Sequence, residues 1–122
     1  NSRADGAHQL LSFDVAADRT LKNKKVLWDF GPNRRGIDGM ALDVEGNIYA
    51  TAGRGEKSGI YVFNPQGKPL ALIATPGPPT NCAFGDKDRK TLYITAAGTN
   101  GKYSLYRVRL AKAGYLVFPP GP

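Results

Sequence analysis

Asp38 opens the run Asp38-Gly39-Met40-Ala41-Leu42-Asp43, and Thr80-Asn81 opens a related run, Thr80-Asn81-Cys82-Ala83-Phe84-Gly85. A carboxylate in the first and a hydroxyl and an amide in the second are hard oxygen donors, the kind that Ca2+ and Mg2+ prefer. Gathered around one cavity they would form a divalent-cation site to which Asp38 brings the charge. A structural reading stands beside this one. An isolated Asp-Gly is commonly a turn, and Thr80 and Asn81 can complete a ligand shell, orient a water or bond the backbone where a strand begins.

Arg54 and Lys57 are the other candidates. They lie in Gly53-Arg54-Gly55-Glu56-Lys57-Ser58, a loop that can meet an anionic substrate or simply be exposed. The Lys-Ser ending does not make a phosphate loop, because that motif needs Gly directly before Lys and a helix after it. Asp43, Asp86 and Asp88 sit in turn sequences where Asp caps its own backbone. Cys82 aligns with Met40 and reads as core, with no neighbouring group that would activate it. His8 is the sole histidine, and without a Gly-x-Ser-x-Gly elbow it does not suggest a nucleophile triad.

These residues depend on a repeated β unit for their placement. Met40 falls on Cys82 after 42 residues, and Tyr49 falls on Tyr93 after 44, past a longer second turn. Strands are predicted at 8–15, 25–30, 39–43, 47–52, 59–64, 70–75, 80–85, 91–96 and 103–110, with turn residues in nearly every gap. No window has a helical apolar period, and 16–25 reads as a long hairpin loop. Three prolines in 75–79 make that segment a crossover between sheets. Small residues in 39–43 and 80–85 suit innermost strands converging on a channel, so Asp38, Thr80 and Asn81 would stand at its mouth.

The fold class predicted is therefore all-β, a propeller-like array of about two and a half blades of four-stranded antiparallel sheet. The divisions expected are 1–36 as the outer half of a blade, 37–77 as a full blade, 78–114 as a final blade, and 115–122 as a closing strand or tail. A ring needs at least four blades of roughly 40 to 45 residues each, more than 122 residues supply. The chain reads as a fragment that begins at Asn1 without an initiator methionine. Its bare blade face would be covered by self-association or by a missing amino-terminal half.

A formal charge of +7 raises the question of nucleic acid. The basic residues are scattered, the densest group being Lys22, Lys24 and Lys25, so no nucleic-acid partner is expected. No apolar run approaches a membrane span, and a lone cysteine permits no internal disulfide.

The runs 37–49, 59–63, 79–85 and 91–95, with Asp38-Gly39 at their head, closely resemble the later blades of the SMP-30, gluconolactonase and regucalcin-like family. The resemblance covers about residues 8 to 110. It implies the carboxyl-terminal portion of a six-bladed β-propeller with a divalent cation in the central channel, calcium foremost, zinc or magnesium as alternatives, and hydrolysis of a small-molecule lactone. Asp38 matches the family's metal-binding aspartate, which is also assigned a catalytic role in activating water. Ile37 stands where the family has proline, and the family's glutamate and asparagine ligands have no counterpart here. The parent would be the enzyme and the isolated chain inactive; the alternative is a non-enzymatic propeller module that binds a ligand or protein.

Overall fold

A computed structural model describes residues 6–32 and 34–118; residues 1–5 and 119–122, where the expected first and last divisions begin and end, lie outside the described residues. Among the described residues nine strands form three antiparallel sheets. The first pairs β1 (Gln9–Val15) with β2 (Leu21–Asp29). In the second, β3 (Met40–Leu42), β4 (Ile48–Ala52), β5 (Gly59–Phe63) and β6 (Pro69–Ala74) follow one another in space as in sequence. The third contains β7 (Pro79–Gly85), β8 (Thr91–Ala97) and β9 (Tyr103–Arg109). Successive up-and-down sheets stacked face to face are part of a β-propeller, as the repeat predicts.

Alternation explains the stacking. All five residues of β4 are buried, because side chains pointing to opposite faces of the middle sheet meet a neighbour on both sides. On one face Ile48, Ala50, Ala52 and Phe63 pack with Leu10, Phe30 and Ile37 of the first sheet and its connection. Phe30 meets Tyr61 edge to face at 5.3 Å, and Trp28 meets Phe63 at 5.6 Å. On the other face Tyr49, Ile60 and Val62 pack with Cys82, Leu92 and Ile94 of the third sheet, and Tyr49 meets Phe84 at 5.1 Å. Each fully buried large side chain contributes roughly 1.5–3 kcal/mol.

The hairpin turns use the chemistry their residues suggest. Asp43 is buried and accepts hydrogen bonds from the N–H groups of Glu45 and Asn47, the Asn47 amide and the Tyr49 hydroxyl. Asp86 repeats the arrangement, accepting from Thr91 and from the Tyr93 hydroxyl at 2.8 Å. Both aspartates are therefore turn builders. Asn64 caps Gln66 and Lys68 in the same manner, with Gly67 at φ 85° completing the turn.

One expectation needs correction. Residues 16–25 are not a long loop: the chain reverses within Ala16–Thr20, where the Ala16 N–H reaches the Thr20 carbonyl at 2.9 Å, and β2 begins at Leu21. Asp18 accepts from both the backbone N–H and hydroxyl of Thr20, and Arg19 takes φ 65°. The first half of β2 is wholly exposed, so its Lys22, Lys24 and Lys25 hide any apolar alternation. Pairing with β1 makes it a strand.

Residues 113–115 turn back toward the second sheet. Gly114 forms an isolated bridge with Asp43, the Val44 N–H donates to the Ala113 carbonyl at 2.9 Å, and the Tyr115 N–H donates to the Leu42 carbonyl at 2.8 Å. Residues 116–118 add no strand.

Candidate functional site

The entries of the innermost strands β3 and β7 are joined directly. The Gly39 N–H donates to the Thr80 carbonyl at 2.9 Å. Gly39 is required by this closeness: a Cβ there would overlap the Asn81 side chain and come within 2.9 Å of its Cα. Buried Thr51, on β4, locks the junction from behind. Its hydroxyl donates to the Gly39 carbonyl at 2.8 Å, and its own carbonyl accepts the Asp38 N–H at 3.1 Å. Sequence spacing thus brings Asp38, Thr80 and Asn81 to one place on the molecule.

Asp38 itself is exposed, with 44% of its side chain accessible, and its Oδ2 accepts a hydrogen bond from Arg35 Nη2 at 2.8 Å. Arg35 is only 8% accessible. Its Nη1 donates to the Pro79 carbonyl at 2.7 Å, so one guanidinium fork ties the carboxylate of the middle sheet to the first strand of the next. Among the described residues Asp38 Oδ1 takes no protein partner, which leaves half of the carboxylate's acceptor capacity open.

Thr80 and Asn81 are partly committed. The Thr80 hydroxyl lies 2.9 Å from the Thr95 hydroxyl and 3.3 Å from its carbonyl. Asn81 Oδ1 accepts the Cys82 N–H at 2.8 Å, which leaves its amide nitrogen as a donor. Cys82 is core: burial pushes its thiol up to about 12, and its sulfur donates to the Tyr49 carbonyl. His8 is buried beside the Gly31 carbonyl, in the first sheet's packing and not in a triad.

Arg54 and Lys57 stand apart from the strand entries yet share Arg35 with them. The loop between β4 and β5 forms a 3-10 turn, Gly55–Lys57, in which the Lys57 N–H bonds the Arg54 carbonyl and the Ser58 N–H the Gly55 carbonyl. Opposite it runs the connection from β2 to β3, held by the Gly53 N–H on the Arg35 carbonyl at 3.2 Å. Between them lies a cavity of about 240 Å3 lined chiefly by Phe30, Arg34, Arg35, Arg54, Lys57 and Tyr61. Glycine at Gly53 is needed here, since φ is 79° and a Cβ would press on the backbone of Lys57 and Ser58.

Arg35 and Thr51 were not singled out by sequence reasoning. The partners of Arg35 include a carbonyl 44 residues away, and its spacing of three residues before Asp38 is the only local hint. No cluster of three or more His, Cys, Asp or Glu groups able to hold a metal occurs among the described residues.

The sequence model of the family described as SMP-30/Gluconolactonase/LRE-like region matches residues 5–98. A gluconolactonase of Zymomonas mobilis subsp. mobilis is 42% identical over 79 residues, which cover 63% of this chain and 19% of that protein. The chain therefore spans about a fifth of that relative's length. The solved structure of a luciferin-regenerating enzyme superimposes with a TM-score of 0.73 at 24% identity, covering 90% of this chain and 41% of its own. A second solved structure, provisionally assigned as a gluconolactonase, gives the same TM-score and identity over 34% of its length. These two likenesses support the fold.

Proposed function

Because the chain belongs to the SMP-30/gluconolactonase/LRE-like family, we propose that it supplies one sector of the active site of a metal-dependent lactone hydrolase. The observation that carries this reading is Asp38: an accessible carboxylate at an innermost strand entry, anchored through Oδ2 and open at Oδ1.

The donor set fits part of a hard-cation shell. Asp38 Oδ1 would be the anionic ligand in this sector, and Ca2+ takes about six to eight oxygens, so the remaining ligands would come from blades beyond this chain. A divalent cation bound there would polarise the lactone carbonyl and offset charge developing on its oxygen.

The chain's own residues have distinct tasks in this mechanism. Arg35 holds the carboxylate in one rotamer, so that Oδ1 points outward without a search through conformations. From that position Oδ1 takes a proton as water attacks the carbonyl carbon. The ring C–O bond then breaks, Asp38 returns the proton to the departing ring oxygen, and the hydroxy acid leaves. Asn81 presents an amide donor beside Gly39 for a hydroxyl or carbonyl of the substrate, and Thr80, at the irregular start of β7, is tied to Thr95 through its hydroxyl.

Hydrolysis of a lactone by the full-length protein, with Ca2+ or Zn2+ added, tests the reading against its Asp38→Ala variant. A fall in kcat of at least about 100-fold is expected, in the range of a lost acid-base group. Equal turnover by the variant would remove Asp38 from the chemistry.

A further inference from the structure

The cavity between the β2–β3 connection and the 3-10 turn has a composition that neither packing nor the reaction at Asp38 requires. Four cations line it, Arg34, Arg35, Arg54 and Lys57, and no carboxylate does. Only Arg35 is neutralised, by Asp38. Among the described residues no acidic side chain pairs with Arg34, Arg54 or Lys57. Arg109, which meets Asp88 at 2.7 Å, and Lys112, which pairs with Glu45, are bridged elsewhere on the surface, whereas the cavity gathers its unbridged cations in one place.

Concentrating unpaired like charges costs free energy through repulsion, and that cost is recovered when an anion enters. The pocket walls favour such an entry. Phe30 and Tyr61 stand edge to face at 5.3 Å and give the pocket an apolar wall on one side, beside which charge-assisted hydrogen bonds gain strength. Lys57 is fixed by its backbone bonds to Arg54 and by the Tyr61 hydroxyl, which donates to the Lys57 carbonyl at 2.9 Å. The cavity's volume of about 240 Å3 has room for a small acidic group.

We infer that this cavity is an oxyanion subsite that receives a phosphate or carboxylate carried by the substrate, so that the lactone turned over at Asp38 bears a second, acidic group. Arg35 is the link between the two halves of the site. Arg35 lines the cavity and also holds Asp38 Oδ2 through Nη2, so the acid group and the scissile ester are addressed on two sides of one residue. This inference rests on the lactonase reading for the substrate's other end, but the subsite itself is measurable without turnover.

Calorimetric titration of the full-length protein with inorganic phosphate and, separately, with acetate at low ionic strength tests it. Arg54→Ala and Lys57→Ala are exposed loop changes that leave both apolar clusters untouched. Each is expected to weaken phosphate binding about 10-fold, whereas Lys24→Ala, which removes the same charge from an exposed position on β2, leaves it unchanged. Stronger binding of phosphate than of acetate assigns a phosphorylated substrate, and the reverse assigns a carboxylated one. A kcat/KM for an acidic lactone that exceeds that for its neutral counterpart, with the advantage lost in the double variant, supports the full proposal. Phosphate and acetate affinities indifferent to Arg54 and Lys57 overturn it. Binding through those residues in a protein that hydrolyses no lactone would refute the role of Asp38 and uphold the anion site.

Discussion

Replacing Arg35 by Met tests whether that side chain joins two blades as well as orienting a carboxylate. The change keeps much of the aliphatic volume, which limits any cavity penalty. It removes a charge-assisted hydrogen bond to the Pro79 carbonyl at 2.7 Å, and such bonds contribute about 1.5–3 kcal/mol. Arg35 is 8% accessible, so water does not readily take the vacated place. The Asp38 pair adds little: that carboxylate is 44% accessible, and solvent screening holds an exposed pair to about 1 kcal/mol or less. Together these give a loss of about 1.5–4 kcal/mol, most of it from the inter-sheet bond. Urea unfolding should show it as a midpoint lowered by about 0.5 to 4 M, taking a slope of about 1–3 kcal/mol per M. Asp38→Asn, which spares the Pro79 bond, should cost about 1 kcal/mol or less. If the two substitutions cost the same, or if Arg35→Met shifts stability by under about 0.5 kcal/mol, a magnitude typical of an ordinary surface change, the bridging role is refuted.

Two further outcomes follow from the junction and its core. Burial pushes the Cys82 thiol up from 9.0 to about 12, and burial followed by the nearby Asp43 charge pushes the Tyr49 phenol up from 10.0 to about 12. The unfolded chain therefore loses these protons first. Stability from this source is intact below pH 9 and falls as pH rises from about 9 to about 12; urea midpoints equal at pH 8 and pH 11 would contradict it. Gly39→Ala should drive Asn81 off its place and part the two strand entries, since the added methyl has no room. The expected result is a destabilisation of about 1–3 kcal/mol, together with amide chemical-shift changes at Thr80, Asn81 and Cys82; unperturbed shifts there would show that the contact is not tight.

What the sequence revealed was governed by locality. Nine strands were legible because turn residues such as Asn64, Gly67 and Asp43 act over a few positions, and because β4 and β8 repeat one pattern. The start of β2 escaped detection, since Leu21 to Lys25 are all exposed and only pairing with β1 makes them extended. In the candidate site, Asp38, Thr80 and Asn81 could be named because the repeat places them at equivalent strand entries. Arg35 could not, as its inward turn is fixed by the Pro79 carbonyl, far along the chain. Likewise Arg54 and Lys57 were visible as a charged loop, while their convergence with Arg34 and Arg35 depends on how the first sheet packs on the second through Phe30 and Tyr61.

The bridge between Asp43 and Gly114 has a consequence for biosynthesis. Its two residues are 71 positions apart, so a ribosome working at roughly 5 to 20 residues per second needs about 4 to 14 s to deliver the second after the first. Throughout that interval the free N–H and C=O groups of Leu42 and Val44 are open to any passing extended peptide. Emergence of residues 113–115 caps them, and a nascent chain stalled before that point would carry a sticky seam that these residues otherwise conceal.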